Sequence, residues 1–270
     1  MVQSAAARKG ARQPAQHDEY VVQTLVRGLD VLHCFTPREP EWSVPEIAAR
    51  TGLNRTSAFR FLYTLAQLGL VEEDRSTHRF RLSVGVLELG FDFLNSLPFV
   101  ERAEPYLRRL RDEVGESCHL GVLDDDEVLF LSRAAIDHMH TASSRVGARL
   151  PAHSTAIGRV LLAHLSPERL EEILSRADLR PTTPYSSKGL ATLRQALSQV
   201  REQGYAVTNQ EYELGVSSAA APISEASGNV VAAINVTAPS ARISAAELRE
   251  RLLPAVRRAA SEISRSLGSR

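Results

Sequence analysis

The stretch from Ser43 to Gly69 limits the possible folds more than any other part of the 270-residue chain. It carries two short helical patterns with Gly52 between them. Ser43 has N-cap chemistry, and Pro45 sits in a first helical turn, where a missing backbone N–H removes no hydrogen bond. Ile47 and Ala48 supply a buried side, Gly52 permits a tight turn, and Asn54 caps the second helix. In that helix Leu53, Ala58, Phe61, Leu62, Leu65 and Leu68 recur at helical spacing, so one face is expected in a core. The opposite face is left to Arg55, Thr56, Ser57, Phe59 and Arg60. This is the pattern of a helix-turn-helix, and those side chains lie on the turns that such a motif pushes into a DNA major groove.

The chemistry of that face suits nucleic acid. Arginine bonds a guanine edge through two parallel hydrogen bonds, and Thr and Ser serve bases or phosphates. No acidic residue occurs between Ile47 and Glu72. Arg50, Arg55 and Arg60 are therefore expected to form a local positive surface in a chain whose formal net charge is +0. Val71 to Leu82 reads as two short strands around a polar turn, which makes the motif winged. Arg75, His78, Arg79 and Arg81 on the wing could follow a phosphate backbone, and Ser43 and Arg79 join the candidate DNA contacts. Glu72, Glu73 and Asp74 are expected to cover the wing's strand edge or point away from DNA.

The rest of the chain divides around this motif. Residues 1–19 have no helical or strand periodicity and are expected to be a disordered basic tail carrying Arg8, Lys9 and Arg12. A helix from Val21 to Phe35, with Val22, Leu25, Val26, Leu29, Leu32 and His33 on its packed side, completes a three-helix core, so residues 20–82 form a winged helix-turn-helix domain. Residues 83–98 read as a linker helix capped by Ser83 and stopped by Pro98. It carries two apolar seams, one of Leu82, Val86, Leu89, Phe93 and Leu97 and one of Val84, Leu87, Phe91 and Leu94. A linker this apolar is expected to pack on a second copy of itself.

Residues 99–270 read as an α+β domain. Its first helix ends at Gly115. Strands are expected at Ser117 to Leu123, Val128 to Arg133, Met139 to Ser144, Tyr205 to Asn209, Ser217 to Ile223 and Val230 to Ala238. Helices are expected at Ala156 to Leu165, Pro167 to Leu174 and Leu190 to Gln203, and Ser244 caps a closing helix to Leu267. The sheet so formed is mainly antiparallel. No apolar run approaches the ~20 residues of a membrane span, so a soluble cytoplasmic protein is expected. Cys34 and Cys118 match no metal-binding or redox spacing and are expected to be reduced and buried. The nucleophile elbow, phosphate loop and zinc-hydrolase motifs are missing, which argues against an enzyme.

Several segments carry a family resemblance. They are Leu82 to Gly90, Gly115-Glu-Ser117, Val122-Leu-Asp-Asp-Asp-Glu-Val128, Val146 to Ala163 with its core Leu-Pro-Ala-His-Ser-Thr-Ala-Ile-Gly-Arg, Arg201-Glu-Gln-Gly-Tyr-Ala206, Glu211 to Gly215, and Val231-Ala-Ala-Ile-Asn-Val236. On these, the chain from Tyr20 onward resembles the IclR family of bacterial transcriptional regulators. The resemblance implies an N-terminal winged helix-turn-helix, a linker helix, and a C-terminal GAF-like domain that binds a small organic acid. It also implies double-stranded operator DNA as a partner, self-association as a dimer or dimer of dimers, and no cofactor.

Carried over by motif, the effector-binding candidates are Ala156 and Ile157 through their backbone N–H groups, and Thr208, Ser218, Asn235 and Thr237 through their side chains. A helix start binds a carboxylate through such N–H groups without a buried cation. Arg133 and Arg145 flank this region, and Arg133 is the candidate partner for a second carboxylate. Family members that sense short oxoacids have Gly and Ala where Ala156 and Ile157 stand here, and an acidic residue in place of Thr208. Ala177 to Pro184 and Ala232 to Thr237 look more like the branch controlling aromatic-acid catabolism through protocatechuate and β-ketoadipate. His119, His153 and Cys118 are the only set from which a metal site could be assembled, and no metal is expected.

Overall fold

The computed structural model describes residues 20–136 and 145–269. The basic tail and the strand expected at Met139 to Ser144 lie outside them. The chain divides into two compact units, one ending at Phe93 and the other beginning at Leu94.

In the first unit, helices α1 (Gln23–His33), α2 (Val44–Thr51) and α3 (Arg55–Gln67) surround a core of Val31, Phe35, Ile47, Ala58, Leu62, Val71 and Phe80. Each junction has a local cause. The Glu46 carboxylate accepts from both the backbone N–H (2.7 Å) and the hydroxyl (2.8 Å) of Ser43, which closes the start of α2. Gly52 ends α2 in the left-handed region at φ 69°, and the Asn54 side chain accepts from the Ser57 N–H at 2.8 Å to start α3.

Two packing expectations need correction. On α1 only Val31 is buried, with Cys34 and Phe35 just past its end. Of the expected packed side Val26 and Leu32 are half-buried, Leu32 against this core, whereas Val22, Leu25 and Leu29 are exposed and His33 faces out. The helix meets α3 across Gly28, where an added Cβ would touch Phe61 at 3.7 Å, so the apolar stripe is right in period and wrong in phase. Leu68 is likewise exposed, because it is the C-cap of α3 and has left the helical face.

Strands β2 (Val71–Asp74) and β3 (Arg79–Leu82) form the expected wing. A two-residue strand β1 (Glu41–Trp42), which the sequence did not suggest, pairs with β3. The Trp42 indole N–H donates to the Cys34 carbonyl at 3.0 Å and ties that strand to the end of α1. Asp74 shapes the wing's tip by accepting from the Ser76 N–H, the Ser76 hydroxyl and the Thr77 N–H.

The linker helix is shorter than expected. α4 runs Val86–Asn95 and crosses the boundary between the two units. Ser83 does not cap it in the expected manner: its hydroxyl donates to the Gly69 carbonyl and accepts from the Gly85 N–H. No residue of α4 is buried, and Leu87, Leu89, Phe91 and Phe93 are all exposed, with Val84 just ahead of it 83 % exposed. Pro98 is the first residue of α5 (Pro98–Val114), a position where its missing N–H has no consequence.

The second unit is a six-stranded antiparallel sheet in the order β6-β5-β4-β9-β8-β7. Its strands are β4 (Ser117–Asp124), β5 (Glu127–Ala134), β6 (Arg149–Pro151), β7 (Ala206–Asn209), β8 (Val216–Ser224) and β9 (Val230–Pro239). β6 was not anticipated. Leu120, Ala219, Ile234 and Val236 share one core with Leu107 and Leu110 of α5 and with the closing helix. Phe130, Ala220 and Ala233 share the other with α6 (Ala156–Ala163), α7 (Pro167–Arg176) and α8 (Leu190–Gln203). Alternation along each strand sends neighbours to opposite cores, as a sheet covered on both faces requires.

The closing helix, expected as one regular run, has three parts. Ser244 caps α9 (Ala245–Glu247), a π turn spans Leu248–Leu252, and α10 runs Leu253–Ser266. Pro254 lacks the N–H that a regular ladder would use, and the wider turn falls just ahead of it. Among the described residues no helix is long and apolar enough to cross a membrane.

Candidate functional site

Two sites arise, one in each unit. On α3, Arg55, Thr56, Phe59, Arg60 and Tyr63 are exposed along one stripe, and Ala58, Leu62 and Leu65 are buried behind it. Ser57 is half-buried, with its N–H committed to Asn54. Arg55 and Arg60 form no ion pair among the described residues, so the stripe keeps its positive charge. Tyr63, absent from the sequence-derived set, lies beside Phe59 with ring centroids 6.1 Å apart. Its spacing of four from Phe59 was the available signal.

The wing behaves differently. Arg79 sits 2.8 Å from a Glu46 carboxylate oxygen and donates to the Glu41 carbonyl at 3.0 Å, bracing the wing against α2. Arg81 pairs with Glu72 at 2.7 Å and His78 with Glu73 at 2.9 Å. Two of the wing's acids, Glu72 and Glu73, thus pair with its bases, and Arg75 forms no ion pair among the described residues. Ser43 is engaged with Glu46 as the cap of α2. Hydrogen bonds from Ser43 hold the Glu46 carboxyl below the usual carboxylate range, with Arg79 adding a smaller effect.

In the second unit, strand register gathers the effector candidates on one face of the sheet. Ser218 lies across from both Thr208 and Thr237, Asn235 across from His119, and His119 across from Arg133. Thr208, Ser218, Asn235 and Thr237 are each at most 8 % exposed, and Arg133 is half-buried. They are wired together. The Asn235 amide donates to Ser218 Oγ at 2.8 Å and to Thr237 Oγ1 at 3.0 Å, while its carbonyl oxygen lies 3.0 Å from His119 Nδ1. Burial pushes the His119 imidazole down to about 4, against an ordinary 6.5, so it is neutral at physiological pH. Arg145 is exposed.

The first turn of α6 packs over this face. A Cβ added at Gly121 would meet Ile157 Cγ2 at 3.4 Å and Val128 Cγ1 at 2.8 Å. Thr155 caps the helix by accepting from the Gly158 N–H at 3.2 Å. Ala156 and Ile157 are buried, and their N–H groups have no acceptor among the described residues. One turn further on, Arg159 is 5 % exposed and its guanidinium grips both Glu211 carboxylate oxygens, Ser187 Oγ and the His153 carbonyl. The Glu211 carbonyl accepts from Thr182, Thr183 and Ser186. This clamp was not read from the sequence, although an arginine inside an otherwise apolar helix was the signal.

Cys34 and Cys118 are free and buried. Among the described residues no three His, Cys, Asp or Glu side chains are gathered as a metal site would need.

A helix-turn-helix with an unopposed arginine stripe, joined to a separate domain that buries a hydrogen-bonded polar cluster under a helix start, defines a DNA-binding regulator with its own sensor module. Residues 24–75 match the IclR helix-turn-helix domain and residues 91–265 match the bacterial transcriptional regulator IclR C-terminal domain. The chain belongs to the IclR family of DNA-binding transcriptional regulators. It is 36 % identical to the Pca regulon regulatory protein of Pseudomonas putida over 93 % of this chain and 86 % of that one. It is 32 % identical to the p-hydroxybenzoate hydroxylase transcriptional activator of Acinetobacter baylyi, covering 91 % and 92 % of the two chains. Among solved structures it is similar to an IclR homologue of Microbacterium hydrocarbonoxydans complexed with 4-hydroxybenzoate. That match has a TM-score of 0.80 and 29 % identity, and covers 90 % of this chain and 98 % of the other.

Proposed function

We propose that the chain controls genes of aromatic-acid catabolism, and that its effector is an aromatic carboxylic acid bound between the first turn of α6 and the polar face of β4, β8 and β9. The observation that carries this reading is the pair of buried N–H groups of Ala156 and Ile157 above a hydrogen-bonded cluster centred on Asn235. A helix start of this kind favours a carboxylate. The apolar neighbours Ile157 and Phe130 favour a ring. The regulated genes and ligand named for the relatives are consistent with that chemistry.

Arg55, Thr56, Ser57, Phe59 and Arg60 would read operator bases, with Arg75 on phosphates and Ser43 and Arg79 supporting the fold of the reading unit. The exposed apolar seams of α4 would be covered by a second copy, so that two α3 helices reach half-sites about 34 Å apart or a multiple of it. The protein then works by binding, not turnover, in the compartment that holds the DNA. Residues 20–82, 83–98 and 99–270 serve as reader, linker and sensor.

The test is fluorescence anisotropy on DNA from the protein's own promoter region, with and without benzoate, 4-hydroxybenzoate and 3,4-dihydroxybenzoate. A coupling of ~1–3 kcal/mol changes operator affinity about 5- to 150-fold. If no acid shifts the curve and none binds the protein, the reading fails.

A further inference from the structure

The hydrogen bonds around Asn235 fix which nitrogen of His119 carries a proton. Ser218 Oγ donates its one hydrogen to the Val236 carbonyl at 2.9 Å. It can therefore only accept from Asn235, at 2.8 Å, so the Asn235 nitrogen faces Ser218 and its oxygen faces His119. The His119 Nδ1 must then donate, and Nε2 of the neutral ring is left as an acceptor.

That acceptor is unused. His119 is 0 % exposed and its Nε2 has no hydrogen-bond partner among the described residues. Within an imidazole, Nε2 lies on the side away from Cβ, so it points off the strand into the layer between sheet and helix. Phe130 meets the ring edge-on at 5.4 Å between centroids and forms an apolar wall. Gly121, two residues further along the strand, lies beneath Ile157 at the start of α6. The layer thus has donors at one end, the Ala156 and Ile157 N–H groups, and at the other an unused acceptor with Arg133 across from it on the neighbouring strand. Leaving a buried acceptor unpaired costs more than a typical hydrogen bond gains, so this end selects for a ligand that brings a donor.

We propose that His119 is the effector's hydroxyl receptor: Nε2 accepts a hydrogen bond from a ring hydroxyl of an aromatic acid whose carboxylate is held at the first turn of α6. This rests on the aromatic-acid reading above and deepens it. The effector class becomes a hydroxybenzoate, and Asn235 becomes a positioning residue that sets the tautomer of His119.

Calorimetric titration of the full chain with benzoate, 3-hydroxybenzoate and 4-hydroxybenzoate tests the assignment. A hydroxybenzoate is expected to bind more tightly than benzoate by about 5- to 150-fold, the range set by one unpaired buried acceptor. His119→Phe should lose the preference for a hydroxybenzoate over benzoate, and His119→Gln, which restores an acceptor, should regain part of it. A wild-type protein that binds benzoate equally well, or a His119→Phe variant that keeps the preference, overturns the inference and leaves the aromatic-acid reading standing. Binding of none of the three acids, nor of 3,4-dihydroxybenzoate, overturns that reading and the inference with it. Should His119→Phe fail to fold, nitrogen NMR of the wild-type imidazole decides. The Nε2 resonance of His119 must move with the hydroxybenzoate and not with benzoate, and an unmoved resonance refutes the proposal.

Discussion

Removing the carboxylate of Glu211 should destabilise the sensor unit far more than an ordinary polar deletion. Its two oxygens take both terminal nitrogens of Arg159, which also donates to His153 and Ser187 and is 5 % exposed. Glu211→Ala leaves that guanidinium buried and uncompensated, a situation that costs about 3–5 kcal/mol. For a unit of this size, each kcal/mol is worth about 2–4 °C, so the melting temperature should fall by about 6–20 °C. The double variant Arg159→Met with Glu211→Leu, which removes both charges and keeps apolar volume, should recover most of the loss, because a buried pair is often no better than a packed apolar one. Urea unfolding of the full chain, followed by far-UV circular dichroism, measures all three proteins. A loss below ~1 kcal/mol for Glu211→Ala, the cost of an exposed pair, would refute the argument. So would a double variant as unstable as the single one.

Three further outcomes follow from the same geometry. Because the folded value of His119 is about 4 and the ordinary value 6.5, the unfolded chain binds the extra proton between those limits. Stability should therefore fall as pH drops through that window, by up to about 3 kcal/mol, and His119→Phe should flatten that part of the urea-midpoint profile. Arg55→Ala should relax base preference at one position per half-site by about 1–3 kcal/mol, read by anisotropy on single-base operator variants, and a uniform loss across sequences would mean a phosphate contact instead. Phe91→Glu on α4 should lower the molar mass seen by light scattering and weaken operator binding together, and an unchanged mass would exclude α4 from self-association.

Much of the architecture could be read from local chemistry. Capping residues, glycines at turns and alternating strands are nearest-neighbour signals, and Ser43, Gly52, Asn54, Gly115 and Ser244 each mark an element boundary as their side chains require. What failed was phase and partnership. The α1 helix carries apolar residues on two sides, and nothing within it says that Gly28 and Val31, not Leu25 and Leu29, meet α3. The short β1 strand exists only because β3 is there to pair with it.

The sensor site divides in the same way. Helix-start positions such as Ala156 and Ile157 could be placed by motif, and strand register does bring Thr208, Ser218, Asn235 and Thr237 to one face. The direction of the Asn235 amide and the clamp of Arg159 on Glu211 depend on residues 17 to 52 positions apart in sequence. No local pattern encodes them.

The internally neutralised wing bears on how this regulator searches a genome. Because Arg79, Arg81 and His78 already hold carboxylates of their own unit, DNA must compete for them, and few condensed counterions would be displaced from a random duplex. Idle association with bulk chromosome should then be weak and only shallowly dependent on ionic strength, so residence at a given locus rests mostly on base edges matched by α3.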